Sequence, residues 1–141
     1  MEVRLVDALR ESGDWVPELS WVAELDGSVV GHVVSTRGHV DDVPAVGLGP
    51  LGVQTAVQGT GVGSALVYAS IGAADALGEP LIALLGAPEY YGRFGFVAAT
   101  VHAIRPPEPA WGEHFQVRTL TEWRPSITGT FRYSAPFTTV V

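Results

Sequence analysis

Cysteine and lysine are both missing from the 141 residues, and methionine occurs once. Without cysteine there is no disulfide, no thiolate zinc site and no acyl-cysteine intermediate. Without lysine, lysine-based covalent catalysis and self-acetylation on a lysine side chain are excluded, and all eight cations are arginine. Charge is sparse: 16% of residues are charged against 47% hydrophobic, which argues against disorder. The length predicts one domain over residues 1–141 with a real core. The charge that is present is mostly acidic. A net −7 argues against nucleic acid or an anionic membrane as partner and favours cationic, amine-bearing substrates. Met1-Glu2-Val3-Arg4 runs straight into an amphipathic segment with no signal-peptide pattern, so a cytoplasmic protein is expected. Val43 to Ala74 is empty of charge and long enough for a membrane span. Pro44, Pro50, seven glycines and the pair Gln54/Gln58 break it instead into strand, loop and helix.

That stretch holds the most informative feature of the chain. Between Leu51 and Leu66 the chain reads as the end of an apolar strand, a tight loop with alternate glycines, Gln58-Gly59-Thr60-Gly61-Val62-Gly63-Ser64, and a helix that starts near Val62. Glycine permits φ > 0 and keeps Cβ atoms away, so successive N–H groups can converge on one anion. The helix start adds its unpaired amides and the positive end of its dipole. A Walker-type loop is excluded because it requires lysine. A dinucleotide fingerprint counted from Gly59 fails at Ser64, and Glu79 precedes the next strand instead of closing it, where a ribose contact belongs. The pattern Gln/Arg-x-x-Gly-x-Gly/Ala fits at every position from Gln58 to Gly63. The loop itself contains no cation, so backbone amides are expected to supply the binding, with little sensitivity to salt.

A second motif follows. After the helix and an apolar strand, Pro80 to Leu85, comes Tyr91-Gly92-Arg93-Phe94-Gly95-Phe96, which fits Tyr-x-x-x-Gly-Phe. The two motifs, in this order and spacing, resemble the GNAT superfamily of acetyl-CoA-dependent N-acetyltransferases from about Glu2 onward. The resemblance implies an α/β (α+β) fold: a mixed, mostly antiparallel twisted sheet flanked by helices, with a splayed strand pair holding acyl-CoA. It implies acetyl-CoA as cosubstrate, no metal, and direct transfer to an amine of a small molecule or protein. It places the diphosphate on Gln58, Gly59, Thr60, Gly61, Val62, Gly63 and Ser64, and the pantetheine arm along Leu51 and Val53. There, backbone N–H groups would polarise the acyl carbonyl. Tyr91 takes the position of the general acid for the departing thiolate. An asparagine that often follows the strand after the loop helix is replaced here by Gly86-Ala87-Pro88.

The rest of the chain reads as follows. Glu2 to Ser12 has helical periodicity closed by Gly13. Ser20–Leu25 and Ser28–Thr36 form a hairpin about Asp26-Gly27. Arg37 to Pro44 reads as a loop, and Ala45 to Gln54 as a strand that Gly49 and Pro50 detach from its neighbour. The helix should run Val62–Leu77 to a Gly78 cap, and His114–Leu120 with Gly129–Tyr133 should close the sheet as a hairpin. The resemblance implies a first strand and helix ahead of the segment matching Glu2–Ser12, and this reading leaves no room for them. The Trp21–Leu25 edge is therefore expected to be bare within this chain, so that either the true start lies upstream or a second copy covers the edge in a homodimer. No base for the amine is evident. His32 reads as a sheet-face residue, His39, Asp41 and Asp42 as loop residues, His102 and His114 as uninformative, and relay through water stays open. The competing functions are a catalytically weak acyl-CoA-binding sensor or partner module and, third, a nucleotide-cofactor oxidoreductase.

Overall fold

A computed structural model describes Arg4–Asp7 and residues 19–133. Strand β1 (Arg4–Asp7) pairs antiparallel with β2 (Trp21–Leu25), which pairs antiparallel with the long β3 (Ser28–Val40). Strand β4 (Val43–Val53) returns along β3 and then meets β5 (Leu81–Leu85) in parallel. The crossover between them carries α1 (Val62–Ala76). Beyond β5 lie a short helix α2 (Pro88–Tyr91) and the strands β6 (Val97–Ala98), β7 (Ile104–Arg105), β8 (Phe115–Thr119) and β9 (Gly129–Tyr133). The sheet order is β1-β2-β3-β4-β5-β8-β6, with β9 on β3 and β7 on β9. No helix among the described residues is long and apolar enough to cross a membrane.

Three expectations are corrected. Arg4–Asp7 is a strand and not part of a helix, and it covers the β2 edge expected to be bare. A helix as short as the expected Glu2–Ser12 is marginal in water on its own, whereas an unpaired β2 edge offers a full ladder. The argument for a dimer at that edge goes with it. Residues 8–13 of the expected helix and cap lie outside the described residues. The Arg37–Pro44 loop is instead strand on both sides of a two-residue turn, Asp41-Asp42. Gly38 and Val40 are buried while Arg37 and His39 alternate outward, so a half-buried strand had the polarity of a loop. Asp41 takes the left-handed φ of 49° that aspartate tolerates, and its carboxylate accepts the Thr130 N–H at 3.0 Å. Finally, β8 and β9 do not form a hairpin. The five-residue β2 pairs with β3 only from Ser28 to Val33, and β9 fills the vacant far end at Gly38–Val40. Strand β8 pairs with β5 and β6 instead.

The helix α1 lies where the sequence places it. Its first hydrogen bond is Ala65 N–H to the Gly61 carbonyl, and Gly78, at φ 79°, follows its C-terminus. Val62, Leu66, Val67, Ile71 and Ala74 are buried with Val30, Val33, Val46, Leu48, Ile82 and Leu84. Burying each such side chain is worth about 1.5–3 kcal/mol, and this fixes the helix start against β4. A second core, with Val40, Leu81, Ile104, Phe115, Val117 and Phe131, lies apart from the first. Between the cores, β4 and β5 pair only at Val46–Ile82 and Gly47–Ala83. The β3 ladder skips from Val33–Leu51 to Ser35–Leu48, so Gly49-Pro50 forms a bulge opposite Val34. Past that bulge β4 and β5 part, as the proline and glycines predict.

Candidate active site

The loop after β4 is held in shape from within. A 3-10 turn at Thr55–Val57 receives Gln58 N–H on the Thr55 carbonyl, and Thr60 gives both its N–H and its hydroxyl to the Val57 carbonyl. The Gln58 side-chain amide donates to the Val53 carbonyl at 3.1 Å, tying the loop to the end of β4. Gly59 and Gly61 take φ of 82° and 96°, and a Cβ on either would meet open space. Strain, not crowding, is what requires glycine at these two positions. Gly61 is the N-cap of α1, with no side chain satisfying the first amides. The N–H groups of Gly61, Val62, Gly63 and Ser64 therefore have no intrahelical partner.

At this helix start lies a cavity of about 530 Å³ lined by Leu51, Val53, Gln58, Gly59, Gly61, Gly63 and Ser64. Of the nine residues assigned to the cofactor, Thr60 and Val62 are the two that do not line it. Thr60 directs its donors to Val57, and the Val62 side chain is buried, close enough that a Cβ on Gly31 would lie 3.0 Å from it. Two lining residues were not anticipated, Tyr90 and Arg93. The Tyr90 hydroxyl lies 2.9 Å from where a Gly63 Cβ would be, so Gly63 makes room for it. Arg93 donates from Nε to the Tyr90 carbonyl at 3.1 Å and lays its guanidinium 4.7 Å from the centre of the Tyr90 ring. The cavity therefore has a cation, supplied by the second motif and not by the loop. An aromatic and an arginine three apart on a helical turn were the available signal.

A second cavity, of about 360 Å³, opens where β4 has left β5, between Leu48, Leu51, Leu85, Tyr91, Trp111 and Tyr133. Leu51 belongs to the walls of both cavities. The half-buried Tyr91 ring covers Gly86, where a Cβ would collide with it, and packs edge-on against Tyr90 at 4.9 Å and Phe96 at 6.0 Å. Gly86-Ala87-Pro88, the departure from the family pattern, thus makes space for this ring. Burial, and secondarily the neighbouring Tyr90, raise the Tyr91 pKa above that of an ordinary phenol. At neutral pH Tyr91 is a protonated donor. Burial pushes Tyr133 up to about 12.

The other candidates lie elsewhere. His32 is exposed on the sheet face over Gly52, His102 packs edge-on against Trp123 at 4.9 Å, and Asp41 anchors its turn. Asp42 lies in that exposed turn, and His114 is exposed and gives its carbonyl to Gly86 N–H. Glu79 pairs with Arg37 at 2.7 Å, so the one acid considered for a ribose is engaged across the sheet. His39 borders a larger hollow of about 750 Å³, beside that ion pair and Trp123. It shares no residue with the two cavities, so volume alone does not locate the site. No group of three or more His, Asp or Glu residues able to hold a metal occurs among the described residues.

The loop, the splayed β4 and the following helix define an acetyltransferase architecture. The model of the acetyltransferase (GNAT) family matches residues 2–96, and the chain belongs to that family. The chain is 34% identical over 140 residues to the uncharacterised N-acetyltransferase YhbS of Escherichia coli K12, covering 96% of this chain and 83% of that protein. It is 33% identical over 143 residues to YjhQ of the same organism, covering 96% and 79%. Among solved structures, it is similar to E. coli YhbS in complex with CoA, at TM-score 0.78 and 31% identity over 86% of this chain and 68% of that one. A GNAT acetyltransferase from Brucella melitensis in complex with acetyl-CoA superposes at TM-score 0.64 and 30% identity, over 82% and 66%.

Proposed function

We propose that this acetyltransferase moves an acetyl group from acetyl-CoA directly to an amine of a small molecule or protein. The observation that carries this reading is the pair of cavities that share Leu51 as a wall, one lined by Gly61, Gly63 and Ser64 at the helix start and the other by Tyr91. The diphosphate would lie on the amides of Gly61 to Ser64, facing Arg93, with the pantetheine arm passing Val53 and Leu51 in the opening between β4 and β5. Backbone donors freed near Leu51 would polarise the thioester carbonyl, and Tyr91, held protonated, would give its proton to the departing sulfur. The same reading makes residues 1–141 one cytoplasmic domain, with acetyl-CoA and an amine as its partners.

Ser64→Glu tests the reading. A carboxylate in the first turn of α1 stabilises the helix by about 0.3–1 kcal/mol, yet stands where a diphosphate would bind. Thermal unfolding should occur at the same temperature or higher. Calorimetry should show acetyl-CoA affinity lowered by roughly 100-fold, a cost of several kcal/mol for juxtaposed like charges. Undiminished affinity would overturn the site. Thiol release from acetyl-CoA in the presence of amines separates transfer from the other reading, a module that binds acyl-CoA without turnover.

A further inference from the structure

The cavity around Tyr91 also bears on the acceptor, given the acetyl-CoA reading above. Its walls are leucine, tryptophan and tyrosine side chains and the Gly49-Pro50 bulge. Both titratable groups in those walls, Tyr91 and Tyr133, hold their protons at neutral pH. Strand β4 offers no carboxylate between Val43 and Val53, and at Gly47 the Tyr133 ring fills the space where a side chain would project, 2.7 Å from a Cβ there. Tyr90 packs on Tyr91, but its hydroxyl is beside Gly63 in the other cavity. Glu89, on the helix that carries Tyr91, Glu108, Glu113 and His114, on or beside the turn that carries Trp111, and Arg132, next to Tyr133, are exposed and not among the lining residues.

Attack on a thioester needs a neutral amine. Among the described residues, an alkylammonium entering this cavity would lose water without gaining either an anion or a base to take its proton. An aromatic amine arrives neutral at pH 7, and its ring suits offset or edge-on packing against Trp111 and Tyr133. A volume of about 360 Å³ admits such a compound. We infer that the acceptor is a small primary aromatic amine, delivered uncharged to the cavity between Leu85, Tyr91, Trp111 and Tyr133. Its nitrogen forms a C–N bond to the acetyl carbon as the C–S bond breaks. Tyr91 protonates the leaving sulfur, and the proton shed by the nitrogen restores Tyr91 through water. The products are the N-aryl acetamide and free CoA thiol, with no net proton taken up.

Para-methylaniline and benzylamine are isomers that differ chiefly in basicity, and so isolate this point. With the whole protein, acetyl-CoA binding is measured by calorimetry and kcat/KM for each amine by thiol release from about pH 6.5 to about 9. At pH 7, para-methylaniline should be favoured by at least roughly tenfold. Its profile should be flat, while that of benzylamine should rise roughly tenfold per pH unit towards its own pKa. Trp111→Ala should raise KM for para-methylaniline about tenfold and leave the acetyl-CoA affinity unchanged. The inference is overturned by preference for benzylamine, by one apparent pKa shared by both amines, which would reveal a base on the protein, or by acetyl-CoA binding with neither amine consumed. Failure to bind acetyl-CoA at all would instead bring down the reading on which the inference rests, and the inference with it.

Discussion

The two cavities that meet at Leu51 are built in opposite ways. The one at the start of α1 comes mostly from a single run, Leu51 to Ser64, shaped by two glycines with left-handed φ, with Tyr90 and Arg93 added from the second motif. The one around Tyr91 gathers side chains from β4, β5, α2, the turn at Trp111 and the end of β9. A contiguous backbone site needs only correct local geometry. A side-chain site depends on the whole sheet closing correctly, with β9 on β3 to bring Tyr133 over Gly47. The first suits a ligand group recognised by charge and shape, the second a ligand recognised by its surface.

The adjacent tyrosines separate the two regions most sharply, because Tyr90 reaches the loop cavity and Tyr91 the aromatic one. Tyr91→Phe should lower kcat by about 10²–10⁴, the usual cost of losing a positioned acid, with acetyl-CoA affinity intact. Tyr90→Phe should leave kcat alone and weaken acetyl-CoA by only about three- to tenfold, the scale of one hydrogen bond. Steady-state kinetics and calorimetry on both variants check this. If the two changes move the same parameter, the division between the cavities is wrong.

The same division explains what could be read from the sequence. The α1 boundaries, the β4 bulge at Gly49-Pro50 and the glycine turns that lead into α1 depend on neighbours within a few residues, and all were legible. Arg4–Asp7 became a strand because of a partner that begins at Trp21, and β9 left β8 because β2 stops short on β3. No local pattern records either fact. Arg93 was within the motif already quoted, but only the fold shows that its turn faces the loop of the first motif. Trp111 and Tyr133 carried no signal at all, since their partners in the cavity lie tens of residues away.

The aromatic cavity should also announce itself in alkaline stability. The Tyr133 phenol is raised from 10.0 to about 12 by burial, so the unfolded chain loses this proton first. Its contribution is complete below pH 10 and disappears as the pH rises to about 12. Two pKa units correspond to roughly 2.7 kcal/mol as an upper scale. Urea unfolding at a series of pH values should show the wild type losing stability faster than Tyr133→Phe across that window. Equal slopes would mean that the ring is more solvated than its packing over Gly47 indicates.

The smallest effect concerns Arg93, the one side chain that mixes the two styles of construction by adding a cation to a backbone site. Its guanidinium is exposed and rests on the Tyr90 ring, so salt should screen it over about 8 Å at physiological ionic strength. The amides of Gly61 to Ser64 are neutral and short-ranged, and salt should affect them far less. Wild-type affinity for acetyl-CoA should therefore fall several-fold as salt is raised, while Arg93→Ala should start about tenfold weaker and then change little. The two curves should converge at high salt. Titrations of both proteins over a salt series measure this directly. Parallel curves would show that Arg93 does not reach the diphosphate, and that the loop binds it with amides alone.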